Sequence, residues 1–451
     1  MSHRNLLLLL ATAAVSYACY IRAEQNPYAR YVAAGYSVID RWSLVETPDQ
    51  QLFEGAMQGM VRALKKQGDE YSAFVSETHC EEYCEDMRQE FGSIAVRIPI
   101  LGEPPLPTVI SPLEPSTPAS KANLQLGDRI LAIDGTPTAG LTMHEILRQM
   151  RGPVGEPVSL TIERDAAASP LTVAVTRQVI TVESILGDFR DNNGNWNFRL
   201  ADDPRLGYIR IDRFGDKTLA ELTHVLADLT QVNSLATDET KAIEAVILDV
   251  RDNSGGALDA VVGISDLFLR AGLPIVSTRG RDQIPRDRFV ATGRSGYTKI
   301  PLAVLVNNES ASASEILAAC LQDHQRATIV GQRTYGKGTV QRVMHIESGR
   351  SRLKLTSATY WRPSGQNIHR MPGATAAEAW GVKPNLGFQV ELDELESLSW
   401  RHYRSRRDLV DNPHSKELLE KLRIQYGELP GSYRDRVLDR AVLHLQAKLS
   451  E

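Results

Sequence analysis

The pattern of hydrophobic and polar positions changes along the chain, and each texture predicts a different structure. From 26 to 90, apolar residues recur every three or four positions, as in LFEGAMQGMVRALKKQ, which is typical of amphipathic helices. From 91 to 180, short alternating segments such as DRILAIDG and VSLTIER are separated by turn residues, which predicts a small β-rich domain. An α/β pattern follows from 181 to 398, and a charged helical segment from 399 to 451.

The α/β region indicates the fold class. Its strands LGYIRIDRF, AIEAVILDV and IPLAVLVN are largely apolar, and helical segments such as ALDAVVGISDLFLR and SEILAACLQDHQ lie between them. Strands that are apolar on both sides are covered on both faces, and strand–helix alternation favours a parallel sheet with crossover helices. We therefore predict a multidomain α/β protein with helical ends, and those ends are candidates for assembling a homo-oligomer.

The first 22 residues carry an export pattern. A basic start, MSHR, precedes the apolar run LLLLLATAAV, and small residues follow at Ser16 and Ala18. This is the pattern of a secretory signal. The uncharged stretch ends at Arg22 and is near the lower length limit for a membrane span, so a cleaved signal and an uncleaved anchor are both open. Either interpretation places the rest of the chain on the periplasmic or cell-envelope side, whereas a buried N-terminal helix would not.

The net charge and the cysteine content limit the classes of partner and cofactor that we expect. The net charge of -5 is spread without long like-charged runs, which gives no reason to expect nucleic acid. Cys80 and Cys84, in HCEEYC, could pair or bind a metal, but the chain has only four cysteines and no second pair to complete a tetrahedral site. We therefore expect protein or peptide partners and no metal or cofactor.

Three serines at alternate positions, Ser310, Ser312 and Ser314, suggest a nucleophile. They follow the buried strand PLAVLVN and lead directly into a helix, so the amides of the turn point outward at the positive end of the helix dipole. His324 is the nearest histidine along the chain, but it lies about twelve residues down the same helix, or roughly 18 Å away. A direct hydrogen bond spans about 3 Å, so His324 is predicted to be a surface or cap residue.

A lysine is the alternative base. Burial lowers the pKa of an ammonium group, and the neutral amine can then accept the serine proton. Lys337 lies between Gly336 and Gly338, whose small size permits the close backbone approach that would bury it, and Gln341 shares its strand face. A solvated lysine in a glycine turn is the competing interpretation. GQRTYGKG also matches part of a phosphate-binding loop, but Gly338 stands where that motif has Ser or Thr, and a strand follows instead of a helix.

The combination of SASASEILAACLQD, RATIVGQRTYGKGTVQ and KLTSATYWRPSG, preceded by LDVRDNSGG, resembles the carboxyl-terminal processing peptidases, also called tail-specific proteases. The resemblance covers roughly residues 30 to 450. It implies a crotonase-like α/β peptidase core that carries an inserted PDZ domain and cleaves with a Ser-Lys dyad supported by Gln. The matching positions are Ser312, the middle serine, with Lys337 and Gln341.

The same resemblance gives the glycine turn a role. Taken alone, LDVRDNSGG is a tight turn after a strand. In the family this turn contributes one oxyanion amide and the residue after the nucleophile contributes the other, which implies Gly255 (or Gly256) and Ala313 here. We further expect Ser310 and Ser314 to serve the turn and the helix start. Arg251 and Asp252 are expected to form a structural ion pair.

The β-rich stretch resembles a bacterial PDZ domain. The run STPASKANLQLGDRILAIDGTPTAGLTMHEILRQMRGPVG has the expected order of short helix, Gly-Asp turn, strand and groove helix, although Asn123 stands where Gly is usual. Preceding it, FGSI is a loose version of the carboxylate-binding loop, formed by Phe91, Gly92, Ser93 and Ile94. The resemblance implies that a peptide tail adds as a strand and that its carboxylate meets the amides of this loop. A domain that only packs against its neighbour is the alternative.

Together these features predict a serine endopeptidase that cleaves proteins near or from their C-terminal tails, with tail capture by the PDZ domain. The rival hypothesis is a catalytically inactive PDZ scaffold that keeps the peptidase fold. It is disfavoured because Ser312, Lys337 and Gln341 are all competent residues. The predicted domains are an export segment at 1–22, a helical element at 26–90, PDZ at 91–180, the peptidase core at 181–398 and a helical end at 399–451.

Overall fold

The structure of the chain is a computed structural model. It describes residues 5, 12–17, 27–96, 98, 100–101, 104–109, 117–125, 127–165, 167–191, 194–231, 242–294, 296–408 and 433–451. Most of the predicted export segment therefore lies outside the described residues. Within the described ranges, no helix combines the length and the apolar character needed to span a bilayer.

The helices follow the periodic segments of the sequence. They are α1 Pro27–Trp42, α2 Asp49–Lys65, α3 Glu77–Arg88, α4 Pro118–Lys121, α5 Met143–Met150, α6 Thr218–Thr230, α7 Leu258–Phe268, α8 Ala313–Asp323, α9 Glu394–Arg407 and α10 Arg436–Ser450. A short 3₁₀ turn spans Glu347–Gly349.

The strands are concentrated in the middle of the chain. They are β1 Ala73–Val75, β2 Glu90–Ser93, β3 Ile100–Leu101, β4 Leu106–Pro107, β5 Arg129–Ile133, β6 Thr136–Pro137, β7 Pro157–Glu163, β8 Leu171–Thr176, β9 Gln178–Thr181, β10 Ile185–Leu186, β11 Phe189–Arg190, β12 Trp196–Asn197, β13 Arg199–Leu200, β14 Asp203–Ile211, β15 Ala245–Asp249, β16 Pro274–Arg279, β17 Pro285–Val290, β18 Leu302–Val306, β19 Thr328–Gly331, β20 Thr339–Ile346 and β21 Ser351–Trp361.

The chain divides into two compact units. The first comprises 1–78 with 343–355, and the second comprises 79–342 with 356–451. In the first unit, helices α1 and α2 occupy the segment where the periodicity predicts helices, and β1 pairs antiparallel with Arg352–Lys354 of β21. The sequence pattern had indicated only helices there, so β1 is an addition.

The core of the second unit is a largely parallel sheet. Strands β14, β15, β18 and β19 lie side by side in that order and are all parallel, while β10 and β13 pair with β14. Successive side chains point to opposite faces, and both faces are covered. Helices α6, α7 and α8 pack on one face, and α10 packs on the other through Val437, Ala441 and Leu445.

A smaller antiparallel sheet forms the predicted PDZ region. Its strand order is β6-β5-β7-β8, and α5 packs on it through Ile146 and Met150. Helix α5 begins with a capping box, in which the Thr142 hydroxyl accepts from the Glu145 amide while the Glu145 carboxylate accepts from the Thr142 amide. This module has its own apolar core, which is separate from the core of the parallel sheet.

Candidate active site

Three turns from the parallel sheet build the site. The glycine turn follows β15, the serine turn follows β18, and the lysine turn follows β19. Since these strands are neighbours and parallel, their carboxyl ends lie along one edge of the sheet, which is where open α/β sheets place their ligands. The topology therefore brings together three segments that are far apart in the sequence.

Ser312 lies at a strained corner between β18 and α8. Its φ is 56° and its ψ is -110°, a backbone conformation that non-glycine residues rarely adopt. The residue is half-buried, whereas its neighbours Ala311 and Ala313 are buried. A serine on a sharp strand-to-helix turn presents its hydroxyl at the head of the helix, which is the arrangement used by nucleophilic serines.

The hydroxyls of the flanking serines, Ser310 and Ser314, donate hydrogen bonds to backbone carbonyls. Both are fully buried; the Ser310 hydroxyl donates to the Val250 carbonyl at 2.7 Å and the Ser314 hydroxyl donates to the Asn253 carbonyl at 2.9 Å. Their hydroxyls thus tie the serine turn to the glycine turn. Ser314 begins the helix as expected, but its hydroxyl binds a carbonyl and not a free amide.

Gly255 packs directly against the serine turn. Its φ is 107°, and a Cβ atom placed on it would lie 2.8 Å from Ser312 Cβ and 3.0 Å from the Ala313 amide nitrogen. Only glycine fits this approach. The amides of Gly255 and Ala313, the predicted oxyanion donors, are therefore neighbours. In this structure the Gly255 N–H donates to Asn253 Oδ1 at 2.7 Å.

The backbone of the lysine turn is packed as closely as that of the glycine turn. A Cβ on Gly336 would lie 2.7 Å from Arg370 Cβ, and one on Gly338 would lie 2.2 Å from the His369 amide nitrogen. The Gly336 carbonyl also accepts from the Arg370 amide at 2.8 Å. Lys337, between these glycines, is half-buried. The predicted close approach of backbone to this turn is present.

Glu315 joins the serine and lysine turns. Its carboxylate is fully buried, and Oε2 accepts from the amides of Ser312 at 2.9 Å and Lys337 at 2.7 Å. Oε1 accepts from the Gly336 amide at 2.7 Å and the Thr334 hydroxyl at 2.6 Å. One side chain thus fixes the backbone of the predicted nucleophile beside that of the predicted base.

The environment of Glu315 also alters its ionisation. Burial raises its pKa to about 7, although the Thr334 hydroxyl and the three amides act in the opposite direction. The sequence interpretation placed Glu315 at the helix start without this role. One sequence feature could have indicated this role. The spacing Ser312-x-x-Glu315 is that of a capping box, and it begins a helix whose flanking sequence is apolar.

Gln341 lies four residues beyond Lys337, at the start of β20. Its amide nitrogen donates to Thr339 Oγ1 at 2.8 Å and to Thr356 Oγ1 at 3.4 Å. These threonines fix the orientation of the amide group.

Two further expectations can be compared with the structure. His324 is the C-cap of α8 and its ring contacts the Pro274 carbonyl at 2.7 Å, as expected for a cap residue. The expected ion pair of Arg251 with Asp252 is wrong. Arg251 is buried and pairs with Asp249 and Asp435, so that it holds the start of α10 against the sheet, while Asp252 pairs with Arg401.

The FGSI motif is more regular than the predicted loop. Phe91, Gly92 and Ser93 belong to β2 and pair antiparallel with β9. Ile94 follows the strand, its side chain is fully buried in the core of the small module, and its carbonyl accepts from the Ala119 amide at 3.1 Å. Across the described part of the chain, no group of three or more His, Cys, Asp or Glu residues could hold a metal ion.

Comparison with known families identifies both modules. The model of peptidase family S41 matches residues 205–386, and the PDZ domain model matches residues 109–164. The first range contains the glycine, serine and lysine turns. The second contains α5 and most of the small sheet.

Several curated proteins are similar over most of the chain. A carboxy-terminal-processing protease of Bartonella bacilliformis is 36% identical over 375 residues, which are 82% of this chain and 78% of that protein. A carboxyl-terminal-processing protease of Synechocystis is 36% identical over 71% of this chain and 69% of its own length. The carboxy-terminal processing protease CtpB of Bacillus subtilis is 29% identical over 96% of this chain and 83% of its own length.

Among solved structures, the photosystem II D1 C-terminal processing protease is 25% identical, with a TM-score of 0.44. The match covers 80% of this chain and 92% of that one.

Proposed function

Because this chain belongs to the carboxy-terminal-processing proteases of peptidase family S41, we propose that it cleaves proteins near or from their C-terminal tails with a dyad of Ser312 and Lys337. The chain is a serine-type peptidase with a PDZ domain. The observation that carries the dyad is the Glu315 carboxylate, which accepts from the amides of both residues and so holds their backbones side by side.

In the proposed reaction Ser312 Oγ attacks the scissile carbonyl, and the neutral amine of Lys337 takes its proton. Lys337 then gives that proton to the leaving amine, and water hydrolyses the acyl-enzyme. Gln341, whose amide nitrogen is held by two threonines, offers its carbonyl oxygen to orient the lysine amine. The strained backbone of Ser312 keeps its hydroxyl at the head of α8.

The negative charge that develops on the substrate oxygen needs donors. We assign these to the amides of Ala313, in the first turn of α8, and Gly255. The Gly255 amide is available to substrate once the Asn253 side chain releases it. The close packing of Gly255 on Ser312 supports this assignment.

The PDZ domain is proposed to capture the tail of the substrate before cleavage. A peptide would add along residues 94–98, of which Arg97 lies outside the described residues, and against α5. Its carboxylate would approach the FGSI motif.

The dyad is tested by Ser312→Ala and Lys337→Ala in the full chain, with hydrolysis of an unfolded protein substrate as the readout. Each change should reduce cleavage by at least about a thousandfold, because the two residues act as a unit. Circular dichroism and thermal unfolding should remain close to those of the parent. Substantial activity in either purified, folded variant would exclude the dyad.

We also propose that the protein is exported, with the first 22 residues as a cleaved signal or an anchor. The basic start and the apolar run that follows support this. Cell fractionation with N-terminal mass analysis distinguishes cleavage from anchoring. A cytoplasmic protein that retains an intact N-terminus would contradict export. Assembly through the helical ends is a further proposal, and light scattering tests it.

A further inference from the structure

A glutamate of α3 contacts the FGSI motif. The Gly92 N–H faces the carboxylate of Glu85, which lies one turn before the end of that helix, and the amide partly opposes the rise in the pKa of Glu85 that burial causes. Gly92 belongs to the segment that is proposed to receive the carboxylate of a substrate tail. A carboxylate of the chain itself therefore lies beside one of the amides proposed for the substrate.

The strand register explains why this amide is accessible to a carboxylate. The Val182 amide donates to the Gln89 carbonyl, and bonded pairs alternate along an antiparallel ladder. By this alternation, the backbone groups of Phe91 and Ser93 hydrogen-bond to β9, while the N–H and carbonyl of Gly92 point away from β9. On that side the Gly92 carbonyl accepts from the Gly152 amide at 3.1 Å, and the Gly92 N–H meets Glu85.

Arg151 adds a positive charge to the same place. It is the C-cap of α5, and its Nη1 atom lies 3.7 Å from Glu85 Oε2 and 3.9 Å from Glu82 Oε1. Its guanidinium group stacks over the Phe91 ring, 4.2 Å from the centroid. A backbone amide beside a guanidinium is the donor set that a carboxylate prefers.

Another carboxylate can replace Glu85 in its contact with Arg151. The side chains of Glu85 and Arg151 are 16% and 22% exposed, and Arg151 Nη1 is itself buried, so an external carboxylate reaches this atom by taking the place of Glu85. Burial raises the pKa of Glu85, and the charge of Arg151 and the Gly92 amide only partly oppose this. The site therefore holds its internal carboxylate without strongly favouring the charged form.

We propose that Glu85 is an internal occupant of the PDZ carboxylate site, and that the α-carboxylate of a substrate tail displaces it from the Gly92 amide and Arg151. This inference rests on the proposed capture of tails by the PDZ domain and assigns it a built-in competitor. Because the glutamate side chain can rotate, displacement requires no movement of α3. Tails with a free α-carboxylate then compete with Glu85, whereas tails lacking that charge do not replace it.

The test measures binding apart from cleavage. The full chain carrying Ser312→Ala is titrated with a fluorescent, unstructured peptide that ends in a free carboxylate, and in parallel with the same peptide as a C-terminal amide. Glu85→Gln removes the charge of the internal occupant, and Glu85→Ala removes its acceptor. Glu81→Gln is the matched control, since Glu81 lies one turn earlier on α3, is exposed and pairs with Arg88.

Both Glu85 changes should tighten binding of the free-carboxylate peptide by about three- to tenfold and leave the amide peptide unchanged. Glu81→Gln should change neither affinity. Adding Arg151→Gln to Glu85→Gln should remove the preference for the free carboxylate. Thermal unfolding confirms that each variant is folded.

The outcomes separate this inference from the proposed tail capture. If the parent prefers the free carboxylate and both Glu85 variants bind it with unchanged affinity, internal occupancy is wrong and tail capture stands. If no variant distinguishes the carboxylate from the amide, both ideas are overturned.

Discussion

Two glutamates contact backbone amides at the two sites of this protein, and their surroundings differ sharply. Glu315 is fully buried and accepts from Thr334 and from the amides of Ser312, Gly336 and Lys337. Glu85 is partly exposed, faces the Gly92 amide and lies 3.7 Å from Arg151 Nη1.

The carboxylate group therefore serves two different purposes in this protein. A buried carboxylate with satisfied hydrogen bonds cannot leave without stranding its donors, so Glu315 makes the active-site backbone rigid. A partly exposed carboxylate can be replaced by water or by another carboxylate at little cost, which fits a site that must open for substrate.

The largest expected effect comes from the same substitution made at both positions. Glu315→Gln places an amide group against buried donors and should lower the free energy of unfolding by about 2–4 kcal/mol. Glu85→Gln should lower it by less than about 1 kcal/mol. Urea unfolding of the two variants, followed by circular dichroism, measures both values. Equal losses would remove the distinction between a fixed and an exchangeable glutamate.

A second prediction concerns the close packing around Ser312. Gly255→Ala should lower kcat/KM about a hundredfold, because the new Cβ would collide with Ser312 Cβ and the Ala313 amide and displace the oxyanion donors. Gly272→Ala is the control. Gly272 also has a positive φ, of 85°, but a Cβ added there would meet no atom within 4 Å.

The control should cost about 1 kcal/mol of stability through backbone strain and leave kcat/KM unchanged. If both variants lost activity equally, strain and not collision at the serine turn would be the cause.

The smallest expected effect is the change of kcat/KM with pH. The pKa of Glu315 is raised by burial to about 7, so acidification below that value protonates it and removes acceptor capacity toward the Ser312 and Lys337 amides. Acidification also protonates the lysine that must be neutral to act as base. We expect kcat/KM to fall about tenfold between about pH 8 and pH 6.

Stability should respond to Glu315 in the opposite direction. Its folded-state pKa lies above the ordinary value of 4.5, so the folded protein binds this proton more tightly than the unfolded chain does. The contribution of Glu315 to the free energy of unfolding is therefore largest below about pH 4.5 and declines as the pH rises to about 7. Comparing the parent with Glu315→Gln by urea unfolding across this range isolates the contribution. For activity, a kcat/KM of the parent that rises on acidification would contradict the roles assigned to Glu315 and Lys337.

Much of the architecture was predictable because local pattern and tertiary environment agree. The apolar strands AVILD and LAVLV are buried at every position, as their composition predicts, and the helices between them follow the apolar periodicity. Strand β2 was less predictable, because FGSI resembles a binding loop while its pairing with β9 depends on residues far along the chain.

The family, the α/β class and the candidate residues Ser312, Lys337 and Gln341 follow from the amino-acid sequence, because motif spacing and apolar periodicity are local properties of the chain. The groups that hold these residues in place became evident from the folded chain. The parallel order of β15, β18 and β19 aligns three distant turns at one edge, and this places Glu315 between the serine and lysine turns. It likewise places Glu85 at the Gly92 amide. A hydrogen bond between distant segments depends on packing, and no local pattern encodes it.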